Sequence, residues 1–217
     1  MRRVLREYER VALRPEDIDG RLDFAQVFGR SAPVHIEVGS GKGTFLVDQA
    51  KAQPGVDFVG IEWARKYYRY AVDRIGRWAL TNARLIRTDA AQFINEHVPD
   101  DSVDCFHIYF PDPWPKKRHN KRRFVCGKNL QQLIRCLKIG GEIRIATDHA
   151  DYFEQIEAVL TERRDCLEPT AFTPTAGAED EELTGTNYER KYIQDERSIN
   201  AVAVKKVDFP PFSGAPA

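Results

Sequence analysis

VHIEVGSGKG, residues 34–43, is the stretch of sequence that decides the fold. Its first half is rich in β-branched residues, as in a buried strand, and its glycines permit a tight turn into a helix-compatible run from Thr44 to Ala52. The same alternation of a short apolar stretch with a longer helical one recurs further along the chain. This rhythm predicts an α/β fold with a doubly wound, mostly parallel sheet.

The remaining elements follow from the same periodicity. Further strands are predicted at residues 57–62, 83–87, 103–110, 142–146 and 198–204, and further helices at 63–80, 124–137 and 151–163. Gly140-Gly141 predicts a turn, and Thr88 is a candidate helix cap. Residues 1–217 are expected to form a single domain with an N-terminal extension at 1–32, a polar, acidic loop within 174–189 and a frayed tail, PPFSGAPA.

Composition narrows the function classes. Hydrophobic residues make up 42% and charged residues 30%, which is typical of a globular protein. The 33 basic residues balance the 33 acidic ones, so a nucleic-acid partner has to be inferred from local charge. The four cysteines form no Cys-x-x-Cys pair, which indicates reduced thiols and no metal site. The chain has no apolar run long enough for a signal peptide or a membrane span, so we expect a cytoplasmic protein with no membrane partner and infer no obligate protein partner.

The glycine turn has the spacing G-x-G-x-G, with Gly39, Gly41 and Gly43. It departs from the G-x-G-x-x-G pattern of dinucleotide sites, and Glu37 would repel a diphosphate placed there. A cationic cofactor fits better. The alternative is a plain glycine turn with no ligand.

Two further acids, Glu62 and Asp89, end the second and third predicted strands. Ligands of open parallel sheets bind beyond the carboxyl ends of the strands, so these acids and Glu37 are expected to line one crevice. A carboxylate at such a position can accept hydrogen bonds from a ribose diol. Each acid could instead be a solvated loop residue, and Asp89 could cap a helix.

The segment FPDPWPKKRHNKRR, residues 110–123, is the strongest local signal. Its three prolines predict a rigid loop around Asp112, and six of the eight residues from Lys116 to Arg123 are basic. Such a run is usually a solvated face, but its place beside the expected crevice favours contact with a phosphate backbone. Trp114 is expected either to stack on a base or to pack in the core.

The sequence resembles the bacterial tRNA (guanine-N7-)-methyltransferase family. The resemblance runs from about residue 33 to about residue 204 and rests on EVGSGKG, GIEW, Asp89, FPDPWPKKRHNKRR, ATD at 146–148 and TNYE at 186–189. Two departures stand out: Asn120 occupies a place where a second histidine is common, and Asp195-Glu196 stands near an expected glycine. The resemblance implies a seven-stranded, Rossmann-like class I S-adenosylmethionine-dependent methyltransferase fold, and transfer of a methyl group to guanine 46 of the tRNA variable loop.

The resemblance also implies roles for individual residues. It implies that S-adenosylmethionine is held by Glu37, Gly39, Gly41, Gly43, Glu62, Asp89 and Asp112, with Asp112 as the catalytic residue. It implies tRNA contacts from Lys116, Arg118, His119, Asn120, Lys121, Arg122, Arg123, Asp148, Thr186, Asn187, Tyr188 and Glu189. No metal is expected.

The chemistry of the acceptor agrees with these roles. Guanine N7 carries a lone pair, so methyl transfer needs no general base, and Asp112 would stabilise the positive charge gained by the purine. Asp148 and Glu189 are candidates to accept hydrogen bonds from guanine, and Tyr188 is a candidate stacking partner. His107 is expected to be a core histidine. Two rival hypotheses are an RNA-binding protein that has lost catalysis and a nicotinamide-dependent oxidoreductase.

Overall fold

The computed structural model describes residues 4–208 of the chain. Its strands are β1 (Ala12–Leu13), β2 (Val34–Val38), β3 (Asp57–Ile61), β4 (Ala83–Ile86), β5 (Val103–Tyr109), β6 (Leu137–Thr147), β7 (Leu167–Thr170) and β8 (Asn200–Lys206). Its α-helices are α1 (Phe24–Phe28), α2 (Thr44–Ala52), α3 (Arg65–Arg77), α4 (Ala90–His97), α5 (Gly127–Cys136), α6 (Ala150–Thr161) and α7 (Asn187–Gln194). Short 3-10 helices span Pro15–Asp17 and Lys117–Arg122.

The eight strands form one sheet in the order β1-β4-β3-β2-β5-β6-β8-β7. Strands β1 to β6 pair in parallel, and β8 pairs antiparallel with both β6 and β7. This confirms the predicted doubly wound, mostly parallel α/β fold. The sheet has one strand more than the expected seven, because the two-residue β1 from the N-terminal segment pairs with β4.

Helices cover both faces of the sheet. One buried cluster packs α4, α5 and α6 against residues such as Ile36 and Phe106, and a second packs α2 and α3 against Phe58 and Leu85. Side chains alternate along β2, so Ile36 enters the first cluster while Glu37 lies on the other face, at the carboxyl end of the strand. The parallel strands therefore bring their carboxyl ends to one edge, where the site lies.

The predicted strands at 34–38, 57–62, 83–87 and 103–110 are confirmed to within one residue. The predicted turn at Gly140-Gly141 is wrong: both glycines lie inside β6, where its register with β5 shifts. β7, β1 and α1 were not predicted, because each is short and depends on pairing or packing with distant residues. The tail PPFSGAPA lies outside the described residues.

The polar segment predicted as a loop over 174–189 ends earlier than expected. Residues 187–189 open α7, and Thr186 is its N-cap. The loop itself is tied back by a hydrogen bond from the Thr175 N–H to the Leu183 carbonyl (2.9 Å) and by an ion pair between Arg190 and the buried Glu182. All four cysteines are unpaired. Within residues 4–208, no helix has the length and apolar character that crossing a membrane requires.

Candidate active site

Two cavities with shared walls lie at the carboxyl ends of the parallel strands. The larger, of about 560 Å³, is lined by the segments that follow β2, β3, β4 and β5 and by α7. The smaller, of about 330 Å³, lies between the glycine loop and α7. Gly39, Gly41, Tyr67 and Tyr188 line both. The crevice predicted from the strand-end acids is therefore present.

Glu37 lies at the base of the smaller cavity. Its side chain is only 5% exposed, and the buried Oε2 atom has no hydrogen-bond partner among the described residues. Burial raises the pKa of this carboxyl group to about 8; the Ser40 hydroxyl opposes the shift and the charge of Glu62 adds to it. An acid left unpaired at this position is suited to a cationic group, which would lower its pKa again.

Glu62 shapes the glycine loop. Its Oε2 accepts a hydrogen bond from the Gly41 N–H (2.7 Å) and its Oε1 accepts one from the Ala64 N–H (2.7 Å). Burial raises the pKa of Glu62. The two N–H groups lower this pKa, and the nearby charge of Asp112 raises it further. Gly43 shows why the loop requires glycine. It adopts a left-handed backbone conformation (φ 68°), and a Cβ there would lie 2.8 Å from the Cβ of Ala71 in α3.

Asp89 is the N-cap of α4, and its Oδ1 accepts a hydrogen bond from the Gln92 N–H (2.9 Å). Of the two candidate caps, Asp89 is therefore confirmed and Thr88 is wrong. Asp89 is also exposed and lines the larger cavity. Asp89 thus caps α4 and lines the larger cavity at the same time.

Asp112 is exposed in the larger cavity, on the proline loop that leaves β5. The loop is bracketed by two residues with left-handed backbone, Phe110 (φ 50°) and Trp114 (φ 43°). Non-glycine residues rarely adopt this conformation, and each instance costs on the order of 1 kcal/mol. Surrounding contacts must therefore hold the loop and the Asp112 carboxylate in place.

Arg123 supplies one of those contacts. Its Nε donates to the Pro113 carbonyl (2.8 Å), its Nη1 donates to Gln155 (2.9 Å), and it forms an ion pair with Asp151. The residue is only 2% exposed. The prediction that Arg123 contacts the tRNA backbone is wrong, because the chain turns inward after the 3-10 helix and its guanidinium group supports the proline loop from below.

Most other residues of the basic run face solvent. Lys116, Arg118, Lys121 and Arg122 are exposed, whereas His119 and Asn120 are half-buried. The Arg122 guanidinium lies 4.9 Å from the centre of a Trp114 ring, and His119 meets that tryptophan edge-on. Trp114 thus lines the cavity and also contacts two residues of the basic run, Arg122 and His119.

Glu189 is fully buried in this conformation. Its carboxylate accepts hydrogen bonds from the N–H groups of Leu183 (2.7 Å), Thr184 (2.8 Å) and Gly185 (2.8 Å). The prediction that it binds guanine is wrong for this arrangement, because both oxygens are occupied by the preceding loop. The Thr186 hydroxyl, also buried, accepts a hydrogen bond from the Glu189 N–H (3.1 Å). Thr-x-x-Glu is a sequence signature of a helix start, and it was the signal available for α7.

The other predicted residues of this region do lie at the crevice. Tyr188 is 44% exposed and contacts Tyr192 with a ring-centre distance of 6.2 Å. Asn187 donates a hydrogen bond to the Thr44 hydroxyl (2.7 Å), which links α7 to the first residue of α2. Asp148 lines the larger cavity and pairs with Arg197 (2.7 Å). Sequence reasoning missed Tyr192 and Trp63, whose side chains line the same cavity.

The prediction of a core histidine at 107 is confirmed. His107 is buried; its Nε2 lies 3.1 Å from Nδ1 of His35, and its Nδ1 lies 2.8 Å from the Tyr109 hydroxyl. Sequence spacing did not reveal that Cys105 lies beside both rings, with the possible ligand atoms of these three residues within 4.8 Å of one another. Each of the two histidines therefore has a polar partner in the core: His35 contacts His107, and His107 also contacts Tyr109.

Known proteins agree with this architecture. Residues 31–202 match the family model described as a putative methyltransferase. A computed superposition on the aminoglycoside resistance methyltransferase NpmB1 gives a TM-score of 0.57 at 19% identity, covering 85% of this chain and 92% of the other. An S-adenosylmethionine-dependent methyltransferase from Aquifex aeolicus gives 0.53 at 13% identity, covering 84% and 86%. The fold is thus that of the S-adenosylmethionine-dependent methyltransferases.

Sequence relatives narrow the class. A tRNA (guanine-N(7)-)-methyltransferase of Alkalilimnicola ehrlichii is 34% identical over 87% of this chain and 79% of its own length, and one of Chromobacterium violaceum is 42% identical over 74% and 69%. One of Rhodopirellula baltica is 39% identical over 68% of this chain, which spans only 56% of that relative. The chain belongs to the tRNA (guanine-N7-)-methyltransferase family. The resemblance stated from its motifs is therefore confirmed.

Proposed function

We propose that this protein transfers a methyl group from S-adenosylmethionine to N7 of guanine 46 in the variable loop of tRNA, forming 7-methylguanosine. Two relatives named for guanine-N7 methylation of tRNA support the reaction. They are 34% and 42% identical to this protein over segments that cover 87% and 74% of its chain. The observation that carries the proposal is the unpartnered Glu37 carboxyl oxygen, which lies beside the glycine loop in cavities that continue to Asp112.

The residues present fit the cofactor. Glu37 offers a buried acceptor for its ammonium group, the glycine loop allows close approach of the backbone, and Glu62 and Asp89 offer carboxylate oxygens to hydroxyl or amino groups. When bound, S-adenosylmethionine supplies a methyl group on a positively charged sulfur. The acidic lining, which also includes Asp112, favours such a cation and disfavours a dinucleotide with its diphosphate.

Catalysis in this proposal is mainly positioning. The acceptor N7 has its own lone pair, so no residue has to remove a proton before attack. Asp112 lies on a loop fixed by prolines, by two left-handed residues and by Arg123. A carboxylate held there stabilises the positive charge that the purine gains on methylation.

The basic run would bind the tRNA backbone. Lys116, Arg118, Lys121 and Arg122 are exposed, and Arg122 lines the cavity that contains Asp112. Such contacts give affinity that does not depend on sequence and weakens with salt. Tyr188 and Trp114 line the cavity as candidate stacking surfaces for the guanine, and Asp148 is a candidate acceptor for its N–H groups.

The test is incubation of the purified protein with S-adenosylmethionine and unmodified tRNA, followed by mass analysis of the nucleosides. We expect 7-methylguanosine with the wild type, and a loss of roughly 10²-fold or more in kcat/KM for Asp112→Ala. Asp19→Ala, which removes an exposed acid outside both cavities, is the matched control and should keep wild-type activity. A guanine 46→adenine tRNA should not be methylated.

Other outcomes would overturn specific parts. Methylation at another atom would leave the cofactor assignment intact and remove the acceptor assignment. Binding of tRNA with no transfer by the wild type would favour a non-catalytic RNA-binding protein. Equal activity of Asp112→Ala and Asp19→Ala would remove Asp112 from catalysis.

A further inference from the structure

A second group of exposed cations lies at the start of α3. Arg65, Lys66 and Arg69 are exposed, and they follow Trp63, whose side chain is 69% exposed. We call these four residues the α3 surface. Within residues 4–208 none of the three cations forms an ion pair with an acid; Lys66 lies 6.0 Å from the centre of the Tyr67 ring. Their charge is therefore available to a ligand.

Trp63 of the α3 surface and Arg122 of the basic run line the same cavity from opposite sides. In the sheet, β3 and β5 lie on either side of β2, so the segments leaving them diverge across the carboxyl end of β2. Trp63, Ala64 and Tyr67 line the larger cavity from the β3 side, whereas Asp112, Trp114 and Arg122 line it from the β5 side. Arg65 and Lys66 follow Trp63 directly in the chain, so a ligand that extends out of the cavity past Trp63 comes close to them. Arg69 lies one turn further along α3, in a separate pocket with Glu7 and Glu9.

The floor between the two basic groups is acidic, with Glu37, Glu62 and Asp112. A small free anion gains little there, because the acids oppose its approach to the cavity. A long polyanion is different: its phosphates can contact both rims while one base enters between them. The exposed indole of Trp63 adds a flat apolar surface of the kind on which unpaired bases stack.

We propose that the α3 surface is a second RNA-contact surface, which binds tRNA phosphates on the side of the crevice opposite the basic run. This inference rests on the proposed tRNA substrate. It assigns Arg65 and Lys66 to phosphate contacts and Trp63 to stacking on an unpaired base. Nothing in the charge balance of the whole chain reveals it, because the net charge is zero.

The experiment compares two double variants that each remove two positive charges. Arg65→Ala/Lys66→Ala alters the α3 surface, and Lys51→Ala/Arg164→Ala removes two exposed cations outside both cavities. The Kd for unmodified tRNA is measured by filter binding at several salt concentrations for both variants and the wild type. Urea unfolding confirms that all three are folded.

For the α3 double variant we expect a roughly tenfold higher Kd and a plot of log Kd against log salt that is shallower by about 0.7–0.9 for each lost phosphate contact. The control variant should match the wild type. Trp63→Ala should weaken binding without changing the salt slope, since stacking releases no counterions.

The result that overturns the inference is a wild type that binds and methylates tRNA together with an α3 double variant that has the Kd and salt slope of the control. That outcome leaves the proposed function standing. A wild type that neither binds nor methylates tRNA shows instead that the proposed function has failed, and the inference fails with it.

Discussion

The two ends of the parallel sheet differ in how many of their charged side chains are paired, although Asp148 with Arg197 and Arg123 with Asp151 are ion pairs at the carboxyl end. At the amino end, cations pair with acids: Arg30 with Asp57 (2.7 Å), Lys138 with Asp104 (2.8 Å) and Lys206 with Asp101 (2.7 Å). At the carboxyl end, the exposed cations of the basic run and the α3 surface have no ion pair among residues 4–208, and the Glu37 carboxyl has an unpartnered oxygen.

This difference separates charge that stabilises the fold from charge that is left for ligands. A buried acid such as Asp57 is tolerated because Arg30 compensates it within the protein. Glu37 is also buried but has no such cation, so its compensation has to come from a bound molecule. Stability and binding are thus concentrated at opposite ends of the same strands.

The largest effect on stability is expected for Arg30→Met at the amino end. Arg30 donates two hydrogen bonds to Oδ1 of Asp57 (2.7 and 3.0 Å), and Asp57 is 1% exposed. Removing the cation leaves a buried charge without its partner, and we expect the free energy of unfolding to fall by about 3–4 kcal/mol. Urea denaturation measures it. Arg65→Met, at the carboxyl end, should change it by less than about 0.5 kcal/mol; equal losses in the two variants would contradict the comparison.

Glu189→Gln should cost about 2–3 kcal/mol. The amide nitrogen would replace one carboxylate oxygen, so the N–H of Leu183 or those of Thr184 and Gly185 would face a donor instead of an acceptor. Hydrogen exchange should become faster at these three amides. Glu181→Gln, an exposed acid in the same loop, serves as control. Unchanged protection in Glu189→Gln would return this residue to the list of candidate RNA contacts.

Glu37→Gln should stabilise the free protein by an amount that grows as the pH rises from about 4.5 to about 8. The pKa of Glu37 is raised from its ordinary value of 4.5 to about 8, so the folded state retains a proton that the unfolded chain releases between these two pH values. The free energy of unfolding of the wild type therefore falls, relative to the variant, as the pH rises through this window. Below pH 4.5 the two proteins should differ little in pH dependence.

Thermal unfolding from pH 4 to pH 9 measures this difference, and the same variant should bind S-adenosylmethionine more weakly. A difference between wild type and variant that does not grow with pH would contradict the raised pKa. Glu157→Gln, an exposed acid of α6 outside both cavities, is a control for the loss of one carboxylate.

The smallest effect on stability is expected in the basic run. Arg118→Ala/Lys121→Ala removes two exposed cations without ion pairs, so the free energy of unfolding should change by less than about 0.5 kcal/mol. The Kd for tRNA should nevertheless rise and its salt dependence should weaken. A destabilised variant with unchanged tRNA affinity would place these cations in the fold instead of the RNA site.

Sequence patterns predicted the parallel strands well, because alternation and turn residues are local properties. They also placed Glu37, Glu62, Asp89 and Asp112 at one crevice, since parallel strands bring their carboxyl ends to the same edge. They failed for Arg123, which belongs by sequence to the basic run but is turned inward to Pro113 and Asp151. A run of like residues carries no information on which member faces the core.

The sequence by itself determined the doubly wound fold, the glycine turn, the proline loop and the family, because each is written in residues that are close together in the chain. Only the tertiary structure decided which charges are paired. The partner of Asp57 lies 27 residues away, and that of Arg123 lies 28 residues away. Pairing depends on distances that folding creates, and the unpartnered oxygen of Glu37 becomes visible only once its buried surroundings are in place.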